Sequence, residues 1–406
     1  MPQSKAFEKR VRRRITGRTQ LFFAVTAPGL EDLCYQEILS LPVTPDDITR
    51  EKGGILFRGK VHECYKANLL LRTANRILMR IVEFKATNFR QLKKKMFAIE
   101  WELYLQNHMI SQIQVTARHS RLFHSDAVEL HLRDAIKSRF ENSGSGAYES
   151  GDQTIQQILY VRISDDIVTV SIDSSGEVLH KRGLKTHAAK APIRETIAAA
   201  ALKLAGYRGT AILVDPMCGS GTFAFEGAML INKIPAGWFR TFAFEEWPCF
   251  RPEMWNYIRR EESKKMGSPN QVMVFSSDTD EMACRRLQDA ISECGLQHTN
   301  SVLNRDFFDI AATDFTSLAG YEDKGLVVIN PPYGMRIGTP ENSRKLLSSI
   351  LKKLSRDFSG WKFVLILPQE MIGKIQQLPI KTHRVFHGGI HLVIAVGRVQ
   401  DQGLLD

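Results

Sequence analysis

The sequence predicts an α/β protein with two parts, an α+β region followed by a Rossmann-like domain. Two motifs in the C-terminal half support the second part. The first is an apolar strand at 211–214, a turn of small residues, and a helix over 222–231. The second is an apolar strand at 326–329 that ends in Asn-Pro-Pro-Tyr. Strand, glycine turn and helix form the first unit of a nucleotide-binding sheet. The N-terminal half alternates short strands and helices, as α+β units do.

Composition limits the class of protein and its compartment. The chain has 406 residues, 43% of them hydrophobic, which is enough for two or three packed domains. No stretch reaches the roughly 18 uninterrupted apolar residues of a membrane span, and the N-terminus lacks the apolar core of a secretion signal. The six cysteines contain no C-x-x-C pair, so we expect reduced thiols in a cytoplasmic protein without a zinc site. A formal net charge of +11 suits a polyanionic partner.

The first 20 residues carry seven Lys or Arg side chains against one acid, Glu8. We expect a mobile basic arm, which either contacts nucleic acid or is a solvated tail. Further along, strands at 158–163 and 167–172 predict a hairpin. His119 and His124 lie in a loop without further residues at the spacing of metal ligands, so RNA contact or simple packing is favoured over a metal site.

The glycine turn differs from that of dinucleotide-binding proteins. Residues 215–222 read Asp-Pro-Met-Cys-Gly-Ser-Gly-Thr, which is short for a pyrophosphate and departs from G-x-G-x-x-G. Together with the downstream Asn-Pro-Pro-Tyr, this turn resembles that of class I S-adenosylmethionine-dependent methyltransferases, in the subgroup that methylates an amino nitrogen. The resemblance implies S-adenosyl-L-methionine as cofactor, S-adenosyl-L-homocysteine as product, and no metal.

Nearly the whole chain from residue 21 resembles the bacterial THUMP-domain 23S rRNA (guanine-N2)-methyltransferases. The likeness is carried by segments 22–38, 53–59, 68–74, 117–120, 179–183 and 191–196. The resemblance implies the following division of the chain: a basic arm at 1–20, a ferredoxin-like domain at 21–65, a THUMP RNA-binding domain at 66–175, a basic linker at 176–190, and a methyltransferase domain at 191–406. It also implies structured RNA as the partner. Some family members carry a second methyltransferase, and this chain resembles the single-enzyme version.

The expected cofactor site follows the ends of three strands. Asp215 and the backbone of the glycine turn are expected along the methionine portion, and Asp278 is expected to accept both ribose hydroxyls. Asp280 is expected to cap the next helix. Asp306 and Phe307 either bond the adenine amino group and flank its ring, or are a helix cap and a core aromatic. The full expected set is Asp215, Pro216, Cys218, Gly219, Gly221, Thr222, Asp278, Asp306, Phe307 and Asn330.

Asn330, Pro331, Pro332 and Tyr333 form the expected catalytic segment. An exocyclic amine is a poor nucleophile because its lone pair delocalises into the ring. Hydrogen bonds to the Asn330 side-chain oxygen and the Pro331 carbonyl would orient that lone pair, and Tyr333 would stack on an extruded base. The prolines stiffen the loop, and a strong general base is not required. Met335 stands where family members often have an acid, which leaves the choice of base open.

Basic residues of the THUMP-like region and the linker are the expected RNA contacts, namely Arg118, His119, Arg121, Lys181, Arg182 and Lys185. An aromatic insertion at 235–248 is expected to stack on a nucleobase, to pack as a lid, or to form a small core of its own. Guanine N2 in 23S rRNA is the favoured target. A guanine in tRNA, adenine N6 in nucleic acid, a protein glutamine and a non-enzymatic RNA-binding role stay open.

Overall fold

The computed structural model of the chain describes residues 5–41, 46–106, 110–142, 157–184, 193–267, 269, 271–319, 324–333, 339–375 and 378–400. The chain forms two compact units. The first is built from Met1–Thr26, Cys34–Leu179 and Arg240–Glu261, and the second from Ala27–Leu33, His180–Phe239 and Glu262–Asp406. Each unit contains one seven-stranded sheet, and the predicted α/β fold class is confirmed.

The N-terminal half supplies seven strands and five helices within its described residues. Its strands are β1 (Gln20–Thr26), β2 (Asp46–Glu51), β3 (Gly54–Gly59), β4 (Ala74–Lys85), β5 (Ile110–Arg118), β6 (Gln157–Ser164) and β7 (Ile167–Asp173). Its helices are α1 (Lys5–Val11), α2 (Glu31–Leu39), α3 (Val61–Leu70), α4 (Phe89–Phe97) and α5 (Ser125–Asn142). The sheet order is β2-β3-β1-β4-β7-β6-β5, and only β5 and β6 pair in parallel. The predicted β6–β7 hairpin is confirmed, with Asp165 and Asp166 at positive φ in its turn.

Strand β4 joins the regions that the sequence divided into two domains. Residues 74–80 of β4 pair with β1, and residues 78–85 pair with β7 on its other side. One continuous sheet therefore crosses the ferredoxin-like and THUMP-like regions. The expected boundary between residues 65 and 66 falls inside α3, where the helix runs without a break.

The described part of the N-terminal arm is folded, so the expectation of a mobile arm is wrong. Helix α1 continues into a π-helical turn, Arg12–Thr16, and both Val11 and Ile15 are buried. Arg10 donates to Glu102 at 2.8 Å, a residue 92 positions later in the chain. The many cations of the arm made the two buried apolar residues, Val11 and Ile15, hard to recognise from the sequence. The local sequence also cannot identify Glu102 as a partner, because it lies 92 positions away.

Residues 240–248 of the aromatic insertion belong to the first unit, and their aromatic side chains pack there as a core. Phe242 and Phe244 are buried, and the Phe244 ring stacks on Tyr65 with 4.4 Å between centroids. Trp247 is also buried and donates from Nε1 to Gln157 Oε1 at 2.8 Å. A nucleobase cannot stack on rings that are already covered, so for these three residues the small core is the alternative that the structure supports.

The C-terminal half supplies the remaining elements. Its strands are β8 (Leu213–Asp215), β9 (Val274–Asp278), β10 (Asn300–Asn304), β11 (Leu326–Ile329), β12 (Lys362–Pro368), β13 (Ile380–His387) and β14 (Ile390–Arg398). Its helices are α6 (Glu195–Leu204), α7 (Thr222–Ile231), α8 (Pro252–Ser263), α9 (Glu281–Glu293), α10 (Ala312–Ala319) and α11 (Pro340–Asp357). None of the helices that the structure describes is long and apolar enough to cross a lipid bilayer.

The second sheet has the order β10-β9-β8-β11-β12-β14-β13. Five neighbouring strands, β10, β9, β8, β11 and β12, are parallel. Strand β14 lies antiparallel between β12 and β13, as the predicted closing hairpin requires. Because β8 comes first in the sequence and lies in the middle, the chain reverses its direction of winding there. In such sheets a ligand crevice opens at the carboxyl ends of the strands beside that point.

The parallel strands are apolar on both faces, as a sheet covered by helices on each side must be. Neighbouring residues along β11 enter different cores. Val328 belongs to one cluster with Leu213 and Val274, while Val327 belongs to the other with Val214. This double burial fixes the strand positions and so holds the residues that follow each strand at one edge.

Candidate active site

The glycine turn after β8 leaves space beside its backbone. Gly219 and Gly221 have positive φ, 51° and 75°. A Cβ added at Gly221 would lie 2.2 Å from Leu287 Cδ1, whereas one at Gly219 would meet no heavy atom of the described residues within 4 Å. Gly221 is therefore needed for the packing of α7, and Gly219 leaves its backbone open to a ligand.

Asp215 ends β8 with a buried carboxylate. The residue is 1% exposed, and neither carboxylate oxygen accepts a hydrogen bond from the residues that the structure describes. Burial and, second, the negative charge of Asp278 raise the pKa of this carboxyl well above its usual range. The Met217 amide counters this effect only in part, from outside ordinary hydrogen-bond geometry. Since an unpartnered buried polar group is destabilising, this site favours a ligand that donates to Asp215.

Asp278 ends β9, the strand beside β8, and its carboxylate is held from two sides. Oδ2 accepts the Gly219 amide at 2.9 Å, and Oδ1 accepts the Asp280 amide at 3.0 Å. Asp280 in turn accepts the Met282 amide at 2.9 Å, and it is the N-cap of α9 as predicted. Asp278 is therefore oriented before any ligand arrives, and each oxygen keeps a further lone pair for a hydroxyl donor.

Pro216, Cys218 and Thr222, the other turn residues expected to bind the cofactor, hold the glycine turn in place. Pro216 is buried, the Cys218 amide donates to the Ser277 carbonyl at 3.0 Å, and the Thr222 hydroxyl donates to the Ile193 carbonyl at 3.3 Å. The Cys218 thiol is buried, and the nearby Cys284 thiol, together with burial, raises the Cys218 pKa well above its usual range. The Cys284 thiol donates to the Asp278 and Leu303 carbonyls at 3.5 and 3.4 Å. These contacts tie the turn to β9 and to the chain before α6.

Asp306 and Phe307, the two residues expected at the adenine, make contacts within the protein. Phe307 is buried, and its ring packs against Phe308 and Phe358. Asp306 accepts the Phe308 amide at 3.0 Å and caps a short 3-10 turn. Phe307 is thus a core aromatic and offers no free face to a ligand ring, so that expectation is wrong. Phe308, the exposed neighbour, is the aromatic side chain that lies outside the core there.

Asn330 directly follows β11, and its side-chain oxygen is buried without a hydrogen-bond partner in the described part of the chain. Pro331 is buried, while Pro332 and Tyr333 are half-buried, with Tyr333 packed against the apolar cluster of one sheet face. Met335 lies outside the described residues. An acceptor held in this way by a stiff loop can receive a hydrogen bond from an incoming N–H group.

Register places Asp215 and Asn330 at the same edge of the sheet. Val214 lies opposite Val327 across the β8–β11 pair. Asn330 is therefore two residues beyond the level of Asp215 on the adjacent strand, about 8 Å away by standard strand spacing and rise. Two buried acceptors that have no partner in the described part of the chain lie here beside an open glycine backbone, which fits a polar cofactor that binds next to a second reactant.

Arg182, one of the expected RNA contacts, is instead buried. Its Nε donates to Glu226 Oε1 at 2.7 Å, and both side chains are almost fully enclosed. Burial raises the pKa of nearby Glu195 to about 7, although Arg182 acts to lower it. Burial and surrounding cations lower the pKa of His180 to about 4. The Arg182 guanidinium therefore binds within the protein and is not available to RNA phosphates.

Substituting Arg182 by Ala should lower the free energy of unfolding by about 3 kcal/mol, because Glu226 would keep a buried charge without this partner. Lys181→Ala removes a cation from the exposed neighbouring position and should change stability by less than about 0.5 kcal/mol. Urea unfolding of both variants at pH 7 measures the contrast. Equal, small changes in the two variants would contradict a structural role for Arg182.

The other expected RNA contacts are distributed over both units. Arg118, the last residue of β5, is exposed, as are His119 and Arg121 in the loop that follows. Asp166 shapes that loop, since its Oδ1 accepts the Arg121 amide at 2.8 Å. Lys181 is exposed in the second unit. Lys185 lies outside the described residues. Their role in binding RNA stays a prediction.

The histidines of the same loop show no sign of a metal site. His124 lies against the Phe123 ring at 4.0 Å between centroids. Among the residues that the structure describes, no group of three or more His, Cys, Asp or Glu side chains could hold a metal ion.

Sequence reasoning missed Glu226 and Cys284. Glu226 is the single charged residue of α7, and a charge in an otherwise apolar helix signals a buried partner. Cys284 gave no comparable signal, because its contact with Cys218 depends on how α9 packs beside the glycine turn.

The strand order and the residues at the carboxyl edge define a class I methyltransferase. Residues 182–393, more than half of the chain, match the RMKL-like methyltransferase domain family, and residues 21–78 match the RlmL ferredoxin-like domain. The chain therefore belongs to the RMKL-like methyltransferase family. The predicted family, fold class and enzyme class are confirmed.

Individual relatives agree with this assignment. Over 373 residues the chain is 30% identical to ribosomal RNA large subunit methyltransferase K/L of Syntrophotalea carbinolica, covering 90% of this chain and 51% of that protein. It is 29% identical to a putative RNA methyltransferase of Synechocystis, covering 89% and 90% of the two chains. This chain thus spans about half the length of the K/L relative. Among solved structures, a putative methyltransferase complexed with SAH is 25% identical with a TM-score of 0.81, covering 93% of this chain and 98% of that one.

Proposed function

We propose that this chain transfers the methyl group of S-adenosylmethionine to the exocyclic N2 of a guanosine in structured RNA, with 23S rRNA as the substrate. The observation that carries the proposal is a pair of buried acceptors without partners among the described residues, the Asp215 carboxylate and the Asn330 side-chain oxygen, at the ends of adjacent parallel strands. One acceptor suits a cationic cofactor, and the other suits the amine that receives the methyl group.

The cofactor side of the site is built by the glycine turn and β9. S-adenosylmethionine supplies an electrophilic methyl group on a sulfonium, so most of the protein's task is positioning. In the proposal Asp215 accepts a hydrogen bond from the ammonium of the methionine portion, and the open backbone at Gly219 lies beside it. Asp278, already oriented by two amides, accepts the ribose hydroxyls. Asp306 stays a candidate for the adenine amino group.

The target side is built by the loop after β11. The Asn330 side-chain oxygen and the Pro331 carbonyl accept hydrogen bonds from the two N–H groups of the exocyclic amine. These two hydrogen bonds fix the amine. They favour an orientation in which the nitrogen lone pair points at the methyl group of the cofactor and is less delocalised into the ring. Tyr333 stacks on the extruded base. The amine becomes acidic once it is methylated, so its proton can leave to solvent without a strong base.

Structured RNA is supported as the substrate by three independent features. The named relatives are ribosomal RNA or putative RNA methyltransferases. The N-terminal half contains a region that matches a ferredoxin-like domain of such enzymes. The net charge of +11 and the exposed Arg118, His119, Arg121 and Lys181 suit a phosphate backbone. A cytoplasmic location, where ribosomal RNA is modified, belongs to the same proposal.

Adenine N6 is the second candidate target. A solved structure titled as a predicted N6-adenine-specific DNA methylase from Listeria monocytogenes is 26% identical, with a TM-score of 0.81. Asn-Pro-Pro-Tyr presents the same two acceptors to either exocyclic amine, so the base must be identified chemically.

Labelled S-adenosylmethionine separates these candidates. The protein is incubated with 23S, 16S and transfer RNA and with DNA, and each labelled product is digested to nucleosides. We expect label in N2-methylguanosine from 23S rRNA. Label in N6-methyladenosine would overturn the base assignment, and label in tRNA alone would overturn the substrate. If the cofactor binds and no nucleic acid is labelled, the proposal is wrong.

A further inference from the structure

The β13–β14 hairpin carries an exposed aromatic and basic surface outside the site described above. Phe386 on β13 lies opposite His391 on β14, and their rings are 5.0 Å apart between centroids. Arg384, two residues before Phe386, shares its face and is exposed. Phe386 is 39% exposed, whereas the neighbouring Val385, on the other face of the strand, is buried. We call Arg384, Phe386 and His391 the hairpin surface.

The charge of the hairpin is of one sign. From residue 380 to residue 398 the chain contains Lys381, Arg384, Arg398 and three histidines, and its sequence has no Asp or Glu. An exposed ring beside cations in an acid-free segment is the composition that binds single-stranded nucleic acid, where phosphates meet the cations and bases stack on the ring.

Register places the hairpin surface at the edge of the sheet where the methyl transfer would occur. Lys362 at the start of β12 lies opposite Arg398, and Pro368 at its end lies opposite Leu392. The turn between β13 and β14 therefore projects beyond the carboxyl ends of the parallel strands. Standard strand spacing and rise put His391 about 15 Å from Asn330, a distance of a few nucleotides.

The hairpin is braced against a neighbouring loop of the same unit. The Phe386 amide donates to the Pro28 carbonyl at 3.1 Å. Gly29 has a φ of 95°, and a Cβ there would lie 2.0 Å from the Arg384 carbonyl oxygen, so only glycine permits this close approach. A braced surface loses little conformational entropy on binding, which favours a role in recognition.

We infer that the hairpin surface binds the RNA strand next to the target nucleotide, with Arg384 on a phosphate and Phe386 stacked on a flanking base. This inference rests on the proposed function. The hairpin would fix the strand on one side of the extruded base, while the loop at Asn330 holds the base itself. Its contribution is to RNA binding and positioning, and it touches neither the amine nor the cofactor.

The test uses the full chain, an unmodified 23S rRNA transcript and three substitutions. Arg384→Ala should raise the KM for the transcript about tenfold and reduce the slope of log affinity against log salt by about 1, since one phosphate contact is lost. Phe386→Ala should raise KM by a similar factor without changing that slope, and Phe386→Tyr should restore it. Both alanine variants should keep the wild-type affinity for S-adenosylmethionine in calorimetry, which shows that the unit is folded.

Lys352→Ala is the matched control for Arg384→Ala. Lys352 is exposed near the end of α11, which follows β11 and so returns toward the opposite edge of the sheet, and its loss should leave KM unchanged. Wild-type KM in both hairpin variants, with methylation of the transcript intact, would overturn the inference and leave the proposed function standing. A wild-type protein that binds the cofactor and neither binds nor methylates the transcript would overturn both.

Discussion

Asn330→Ala should reduce the turnover number for RNA methylation about a thousandfold and leave the affinities for S-adenosylmethionine and RNA within about threefold of wild type. The side-chain oxygen is a buried acceptor without a partner in the described residues, so its hydrogen bond is available to the target amine. Loss of a single preorganised group that stabilises the transition state typically lowers kcat by about 10²–10³. Single-turnover kinetics with labelled cofactor, together with calorimetry, measure the two parts of this expectation.

The stability of the variant supplies an internal control. Removing a buried acceptor that has no partner among the residues the structure describes should leave the free energy of unfolding unchanged or slightly higher, by up to about 1 kcal/mol. Asn330→Asp keeps an acceptor and should retain more activity than the alanine variant. If Asn330→Ala kept more than about a tenth of wild-type turnover, Asn330 would not be the residue that orients the amine.

Local sequence patterns were sufficient to predict the helices and strands in the central part of the second unit. Helix α7 begins and ends at the predicted residues because Gly221, at positive φ, is followed by an apolar helical run. Strand β11 and the following Asn330 were equally predictable, since a short apolar run between Gly325 and a pair of prolines is typical of a buried strand. Asp280 was recognisable as an N-cap from its position after a strand and before an amphipathic helix.

Contacts between distant residues account for the expectations that were wrong. Arg182 reads as an RNA contact in a basic linker, yet its partner Glu226 lies 44 positions away in a buried helix. Phe307 follows a strand of the cofactor half, and this position predicts a contact with the adenine. The packing of the Phe307 ring against Phe358, which the local sequence does not indicate, shows that the ring is enclosed. The expectation of a mobile basic arm was wrong for the same reason, because the sequence of residues 1–20 does not indicate the contact between Arg10 and Glu102.

Asp215→Asn should weaken S-adenosylmethionine binding about a thousandfold while stabilising the protein without ligand. Truncating one partner of a buried, hydrogen-bonded charge pair typically weakens binding by about 2–5 kcal/mol, and about 4 kcal/mol corresponds to this factor. Without ligand, the buried carboxylate has no partner in the described residues and is repelled by Asp278. An amide at this position removes the charge and the repulsion.

The stabilisation should depend on pH in a defined direction. The pKa of Asp215 in the folded protein lies well above its usual value, whereas in the unfolded chain it is about 3.9. Between these values the folded state binds more protons, so wild-type stability falls as pH rises from about 4, by at most about 1.4 kcal/mol per pH unit. Asn cannot ionise, and the advantage of the variant should therefore grow as pH rises from about 4 toward the raised pKa of Asp215. Urea unfolding of both proteins from pH 5 to pH 8 gives the difference.

Other shifted groups do not obscure this comparison. Burial raises the pKa of Asp173 to about 6 and that of Glu195 to about 7, and these groups are the same in both proteins. Asp289→Asn, an exposed site on α9, should change neither stability nor cofactor affinity. A cationic donor beside Asp215 lowers its raised pKa, so cofactor binding to the wild type should release protons at pH values below that raised pKa. Calorimetry in two buffers of different ionisation enthalpy would detect that release, and its persistence in Asp215→Asn would assign the proton to another group.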